Sequence, residues 1–291
     1  MNRVLDHIEA HLGEPLDLPA LAEVANFSPY HFHRLFAAWM GETLGDYLRR
    51  RRLEVAAWRL AASPRPTVLE VAVEVGFGSG EALARAFKQH FKLTPTQWQR
   101  QGPQRNLDQA RRKPGQAPGT ASGDDGHSFN PYAGVSMNVR LIELPPARVA
   151  YLRHIGPYGP TVGEFWRQTA GPWMIAHQLL HAPRYGISLD DPSITAPDKC
   201  RYDAAVDWAG GVPPSPASVA ELPGGRYAVA DFTGTAAEIN AAWQALVGGW
   251  LPDSGLQFDG RPCFERYLPT HGMDPKTGAF SCELCLPVKP L

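Results

Sequence analysis

Across residues 1–101 the apolar positions recur at every third or fourth residue, the spacing that keeps one face of an α-helix turned inward. Seven helices are predicted, over 1–12, 18–25, 29–40, 43–62, 68–75, 80–91 and 95–101. Ser28, Thr43, Thr67, Ser79 and Thr94 stand where N-caps belong, and Pro29 and Pro95 then fall at a first helical position, where a missing N–H is harmless. From Met137 the period changes. Short alternating runs bounded by Pro and Gly read as strands, with helical stretches around 160–181 and 235–249. Residues 102–136 are rich in Gly, Pro, Arg, Gln, Ser and Asp and hold little to bury, so they read as a flexible linker.

Two helix-turn-helix units are visible in the helical part. In the first, Leu21, Ala22, Val24 and Ala25 face inward, Phe27 fills the turn and Ser28 caps the next helix. Phe32, Leu35 and Phe36 are expected inside, which leaves Pro29, Tyr30, His33 and Arg34 at the outward N-terminal end, where a recognition helix carries its base contacts. The pattern recurs with Leu69, Ala72 and Val73, the turn Gly76-Phe77-Gly78-Ser79, and an inward set of Leu83, Ala86, Phe87 and Phe91. Gly80, Glu81, Ala82 and Arg85 are then the outward positions. Phe27/Phe77, Ser28/Ser79 and Phe36/Phe87 mark an internal duplication.

The helix between the units, Thr43 to Ala62, has 20 residues. That is about 30 Å of rise. Major-groove segments recur at about 34–36 Å, so one monomer can present two recognition helices to neighbouring segments. Arg49 and Arg52 on this helix, with Lys88 and Lys92 at the end of the second unit, are the expected phosphate contacts. Four consecutive arginines, Arg49 to Arg52, cannot all reach phosphate from one helix. Some should pair with acids such as Asp46 or Glu54 or stay solvated.

With these residues in place, the segment resembles the AraC/XylS family of transcription regulators. Leu21-Ala22, Phe27-Ser28, Arg34-Leu35-Phe36, Gly41, Tyr47, Arg51-Arg52, Ala56 and Leu60 carry the likeness in the first half. Ala72, Gly76-Phe77, Ser79, Arg85, Phe87-Lys88, Thr94-Pro95 and Trp98 carry it in the second. Lys92 stands where the family often has Gly, and Trp98-Gln99 replaces a common Tyr-Arg. Glu81 replaces a neutral polar residue. Its carboxylate either accepts from a cytosine amino group or signals a second helix that reads little sequence. The competing reading is a seven-helix interaction module with no role on DNA, against which the duplication and the basic linking helix stand together.

The second half is also duplicated. Glu143-Leu144-Pro145-Pro146-Ala147-Arg148-Val149-Ala150 recurs as Glu221-Leu222-Pro223-Gly224-Gly225-Arg226-Tyr227-Ala228, and Gly156 as Gly234. Strand pairs follow, 183–189 with 202–208 and 262–268 with 280–288. The expected fold is multidomain: an all-α double helix-turn-helix domain over 1–101, the linker 102–136, and an α+β domain over 137–291 made of two pseudo-twofold-related β-α-β-β modules. Gly156-Pro157-Tyr158, Pro223 to Val229, Pro262 to Leu268 and Cys282-Glu283-Leu284 give the latter a resemblance to the GyrI-like effector-binding domain of Rob-type regulators. The resemblance implies an aromatic ligand pocket between the modules with a central glutamate, here Glu265.

On a strand, Cys263, Glu265 and Tyr267 share one face, and Phe264, Arg266 and Leu268 the other. Gly186 is the first-module counterpart of Glu265, so one copy supplies a carboxylate and the other supplies space. An acid beside Cys263 and Tyr267 suits a cationic or amphipathic ligand. Trp166, Trp173, Tyr185, Trp208, Trp243 and Trp250 are candidate walls, and Trp166, Tyr185 and Trp208 join Glu265, Tyr267 and Cys263 as the expected ligand contacts. The competing reading of Glu265 is a surface strand residue paired with Arg266 or a neighbour. Cys282-Glu283-Leu284-Cys285 has CxxC spacing, but period-2 alternation puts the two sulfurs on opposite faces and no zinc set completes it. His177 and His181 are four apart without the Glu of a zinc-protease helix. They read as a solvated helix face, and neither metal nor cofactor is expected.

Charge sharpens the division. The chain has 291 residues, 28 Lys and Arg against 29 Asp and Glu, and a net charge of -1. Residues 1–113 hold 16 basic and 12 acidic side chains, while 114–291 hold 12 and 17. The basic half fits a polyanion and the acidic half does not. A 44% hydrophobic content excludes wholesale disorder, and no apolar run reaches the length of a membrane span. The N-terminal residues do not read as a secretory signal, so the cytoplasm is the expected location. The expected partners are double-stranded DNA, a small-molecule effector and, for an activator, RNA polymerase. Two other functions are conceivable, the second with no feature of the sequence that singles it out. One is a GyrI-like hydrolase with Glu265 as general base and Tyr267 as hydrogen-bond donor. The other is protein inhibition in the manner of gyrase-inhibitor relatives.

Overall fold

Side-chain caps set the helix starts in the N-terminal unit. The computed structural model describes residues 1–61, 65–100, 137–272, 274 and 276–291, and the chain divides into two compact units, Met1–Arg111 and Arg112–Leu291. The expected linker, 102–136, lies outside the described residues. Unit 1 contains α1 (Asn2–Ala10), α2 (Leu18–Val24), α3 (Pro29–Met40), α4 (Leu44–Leu60), α5 (Val68–Glu74), α6 (Gly80–Phe91) and α7 (95–100). Ser28, Thr43, Thr67, Ser79 and Thr94 each accept from the backbone N–H three residues on. Asp17 caps α2 in the same way at 2.8 Å, a cap the apolar spacing alone does not reveal.

The duplication extends to the backbone. Phe27 N–H donates to Ala22 O and Phe77 N–H to Ala72 O, at 3.0 and 2.8 Å. Asn26 and Gly76 take the left-handed conformation after α2 and α5, with φ of 57° and 82°. Gly41 and Lys92 do so after α3 and α6, with φ of 65° and 61°. Phe32, Phe36 and Met40 bury one stripe of α3, and Leu83, Ala86 and Phe87 one stripe of α6. Burying a side chain of this kind contributes roughly 1.5–3 kcal/mol. Trp98 closes the core from α7, its Nε1 donating to Ala57 O at 2.8 Å.

Several inward expectations need correction. Leu35 is 43% exposed and Phe27 47% exposed, so Phe27 does not fill its turn. Leu69 and Val73 are also exposed, because α5 is covered on one side only, through Val71 and Ala72. Short helices lying on one core bury a narrower stripe than the full set of apolar residues suggests.

Unit 2 is a sheet with helices on one face. Its elements are β1 (Val139–Leu144), β2 (Ala147–Ile155), α8 (Pro160–Phe165), α9 (Gly171–Ala176), β3 (Arg184–Ser188), β4 (Arg201–Asp207), β5 (Ser218–Leu222), β6 (Gly225–Gly234), α10 (Ile239–Gln244), β7 (Leu256–Phe258), β8 (Cys263–Tyr267) and β9 (Phe280–Pro290). A wide π turn, Trp166–Ala170, joins α8 to α9, and another, Ala245–Trp250, follows α10. The antiparallel strand order is β1-β6-β9-β8-β3-β4-β2-β5, with β7 added to β9.

Two short turns shape this sheet. Only Pro145 and Pro146 separate β1 from β2, and only Pro223 and Gly224 separate β5 from β6. Both turns join strands from opposite ends of the strand order, and two residues span no more than about 7–10 Å. The sheet therefore curls until its ends meet. A Cβ on Gly224 would press against Leu144 O and Pro146 N, which shows the two turns in contact. The inner face buries Tyr151, Tyr185, Tyr227, Val229, Phe264 and Cys285. On the other face the helical segments and their aromatics cover Ala204, Val206, Cys282 and Leu284.

Candidate functional site

Two arrangements carry chemistry, one in each unit. In unit 1, Pro29, Tyr30, His33 and Arg34 are exposed at the N-terminal end of α3, and the Arg34 guanidinium lies 5.8 Å from the centre of the Tyr30 ring. On α6, Glu81 and Arg85 are exposed while Gly80 and Ala82 are half-buried. A Cβ on Gly80 would lie 3.7 Å from the Leu69 backbone, so α5 and α6 approach closely there. The second helix therefore offers Glu81 and Arg85 rather than all four expected positions.

The arginine run on α4 divides by function. Arg50 pairs with Glu42 and Glu54, and Arg51 with Glu9 and Glu54. Asp46 is engaged elsewhere, accepting from the Thr43 hydroxyl at 2.7 Å. Arg52 departs from the expectation that it contacts phosphate. Its guanidinium donates to Leu12 O, Gly76 O and Glu14 O at 2.9–3.0 Å, and burial lowers its pKa. The side chain instead ties the end of α1 to the turn between α5 and α6. Arg49 remains on the surface with a 2.9 Å bond to Gln89, and Lys88 and Lys92 are exposed. Helical periodicity explains the split, since consecutive residues point about 100° apart.

In unit 2 the focus is Glu265 on β8. It is 6% exposed. Tyr202 donates to its Oε2 at 2.8 Å, Tyr267 to the same oxygen at 3.4 Å, and Trp243 Nε1 to Oε1 at 3.1 Å. Trp166 Nε1 reaches the Tyr202 hydroxyl at 3.1 Å. Trp166 and Tyr267 have ring centres 5.7 Å apart, and Tyr267 and Phe280 5.8 Å. Among the described residues no basic side chain comes within ion-pair distance of this carboxylate, and Arg266 pairs instead with Glu283 at 2.6 Å. Burial pushes the Glu265 pKa up, against the hydrogen bonds that pull it down. The phenols of Tyr202 and Tyr267 are pushed well above their usual range, by burial first and by the facing carboxyl second.

Gly186 stands directly across from Glu265 in the β3–β8 ladder. A Cβ there would collide with the Tyr202 hydroxyl and Glu265 Oε2. The space foreseen at Gly186 is thus occupied by the acid and its main donor. Cys263 lies on the same strand face as Glu265, half-buried, with its thiol pushed up by burial.

Tyr185 and Trp208 do not belong to this site. Tyr185 neighbours Gly186 on β3, so it points to the inner face, where its hydroxyl donates to Asp207 at 2.8 Å. Trp208 follows the end of β4 and donates to Gly211 O at 2.8 Å. Tyr202 is a member of the site that the candidate residues above do not include. Its signal was its place two residues before Ala204, which pairs with Gly186 across the β3–β4 ladder.

The other candidate chemistry resolves as structure. Cys282 and Cys285 lie on opposite sheet faces, and burial raises the Cys285 thiol to about 12. His177 follows the end of α9, its Nδ1 2.8 Å from Trp173 O, so it shares no helix with His181. Among the described residues no group of three or more His, Cys, Asp and Glu is placed to hold a metal ion, and no helix is long and apolar enough to cross a membrane.

Comparison with known proteins assigns each part of the chain to a kind of domain. Residues 137–289 match the family described as the GyrI-like small molecule binding domain, and residues 21–101 match a helix-turn-helix domain. The regulatory protein SoxS of Escherichia coli strain K12 is 33% identical over 91 residues, 31% of this chain and 84% of SoxS. The transcriptional regulator Rob of Salmonella typhimurium is 38% identical over 93 residues, 32% of each chain. The DNA-binding domain of AdpA, solved in complex with a target DNA, is 29% identical with a TM-score of 0.32, covering 39% of this chain and 96% of that one.

Proposed function

The chain belongs to the GyrI-like small-molecule-binding family and carries an AraC-type helix-turn-helix domain ahead of it, and from that premise we propose that its ligand is an amphipathic cation held at Glu265. A DNA-binding transcription regulator with a small-molecule domain is what this combination amounts to. The single observation behind the ligand class is a buried carboxylate that receives only neutral donors. A buried charge without a counter-charge is costly. A ligand cation supplies that charge, and the faces of Trp166, Trp243, Tyr202 and Tyr267 add cation–π attraction. Binding then favours the ionised acid, so affinity should rise with pH through the raised Glu265 pKa.

Further readings belong to this proposal. Tyr30, His33 and Arg34 make the main base contacts, with Pro29 beside them, while Glu81 and Arg85 add the lesser share expected of α6. Arg49, Lys88 and Lys92 meet phosphate. The domains run over 1–101 and 137–291. The second is a pair of pseudo-twofold modules, a reading supported by the strand order, which reverses onto itself when β1 exchanges with β5, β2 with β6, β3 with β8 and β4 with β9. RNA polymerase is the further partner of an activator, and the cytoplasm is the location. The domain senses rather than hydrolyses. A general base must reach water, whereas Glu265 is buried and its carboxyl oxygens already accept from three donors.

Calorimetry on the full chain tests the ligand class with tetraphenylphosphonium and neutral triphenylphosphine oxide. The cation should bind the wild type, the neutral compound about tenfold or more weakly, and Glu265→Gln should lose the cation preference. Equal affinity for both compounds would overturn the assignment. Turnover of an ester probe by the wild type but not by Glu265→Gln would restore the hydrolase.

A further inference from the structure

The inner face of the curled sheet opens into a groove of about 340 Å³ at the end where the two short turns meet. Pocket mouths of curled sheets commonly take ligands, and this volume is at the small end of such sites. The groove is independent of the Glu265 cluster, because its floor residues Phe264 and Arg266 alternate with Glu265 along β8 and point to the opposite face.

Four polar side chains line the groove. Arg148 on β2 is engaged, donating to Gly210 O and pairing with Glu221, and the other three stand in a row across three neighbouring strands: Asp207 on β4, Tyr185 on β3 and Arg266 on β8. The Tyr185 hydroxyl donates to Asp207 Oδ1 at 2.8 Å. Asp207 Oδ2 accepts from no described residue. Arg266 uses Nε on Glu283 Oε2 at 2.6 Å, which leaves both terminal nitrogens without a partner among the described residues. Glu283 is also held by Arg140 at 3.1 Å, so it does not depend on Arg266 alone. Asp207 and Arg266 do not pair with each other, since Tyr185 stands between them in the strand order. The groove therefore shows an open acceptor of negative charge and an open guanidinium fork, held apart, beside the rings of Tyr185, Phe264 and Trp208.

We propose that this groove is a second small-molecule site, which binds a zwitterionic, amino-acid-like molecule with a flat apolar side chain. The ligand carboxylate meets the two free nitrogens of Arg266, a fork suited to bidentate recognition. The ligand ammonium meets Asp207 Oδ2. Its side chain lies among the aromatic rings and the prolines of the β1–β2 and β5–β6 turns. A molecule with only one of the two charges leaves the opposite group in the groove unanswered, and that omission is where the selectivity arises.

L-Tryptophan is the probe, titrated into the full chain by calorimetry beside tryptamine, which lacks the carboxylate, and indole-3-propionate, which lacks the ammonium. L-Tryptophan should bind once per chain, each partial analogue about tenfold or more weakly, and Arg266→Gln and Asp207→Asn should each lose about tenfold or more in affinity. Glu265→Gln should leave L-tryptophan binding unchanged, which separates this groove from the buried acid. If Arg266→Gln does not fold, the isosteric Asp207→Asn carries the test. The proposal is overturned by absence of binding up to about 10 mM, by equal binding of the partial analogues, by affinity unchanged in Asp207→Asn, or by loss of binding in Glu265→Gln.

Discussion

Glu265 makes stability depend on pH in a direction that can be worked out. Its pKa in the folded chain lies above the ordinary value of 4.5 because burial disfavours the charge. The folded state thus keeps a proton that the unfolded state releases, and stability declines as pH rises from about 4.5 through the raised value. Glu265→Gln removes this slope. Without ligand, the melting temperature of the wild type should fall relative to that variant between acid and neutral pH; parallel curves would refute the assignment. Two other residues give sharper tests. Lys92 holds a left-handed conformation at φ 61°, which costs a non-glycine residue about 1–2 kcal/mol. Lys92→Gly should raise stability by about 1 kcal/mol while weakening DNA binding, read by denaturant melts and gel shifts. Gly186→Ala drives a methyl into Tyr202 and Glu265. A loss of about 1–3 kcal/mol is expected from such overpacking, with the cation response gone and DNA binding retained.

Among the elements, α4 shows how one helix serves packing and surface charge at once. Arg52→Ala strips hydrogen bonds from three carbonyls belonging to two separate turns. Leaving such groups unsatisfied costs about 1–3 kcal/mol, so this variant should melt well below the wild type. Arg49→Ala, three residues away, should melt with the wild type and instead reduce the salt slope of DNA binding by about one. A matched drop in stability for both variants would contradict the division. The sequence could announce a basic helix but not this allocation, because the carbonyls that hold Arg52 belong to residues 12, 14 and 76, remote along the chain. Element boundaries were much more legible. Ser28, Thr43, Thr67, Ser79 and Thr94 act within three residues of themselves, and a local bond leaves a local signal.

For the molecule as a whole, a regulator needs its ligand and its DNA to influence one another. If tetraphenylphosphonium changes operator affinity by some factor, operator DNA must change the cation's affinity by the same factor, typically about 5–150-fold. Measuring both on the full chain checks this, and a factor of one in both directions would mean that the cation does not regulate DNA binding. Arg34→Ala should relax operator specificity, seen as a smaller gap between operator and random DNA.

Periodicity by itself determined the seven helices found among the described residues of the first hundred, that Cys282 and Cys285 part to opposite faces, and that Glu265 and Arg266 face different ways. Each of these depends only on the repeat of a single element. The sequence also identified Gly186 as the space for Glu265. The tertiary structure decided everything that needed a partner from far along the chain. It brought Tyr202 to Glu265 and turned Tyr185 away, it spent Arg52 on carbonyls, and it left Leu35 in solvent. Above all it curled the sheet, since two-residue turns joining opposite ends of a strand order have no expression in local pattern. A repeat says which way a side chain points. What it points at is set by chain closure over long distances.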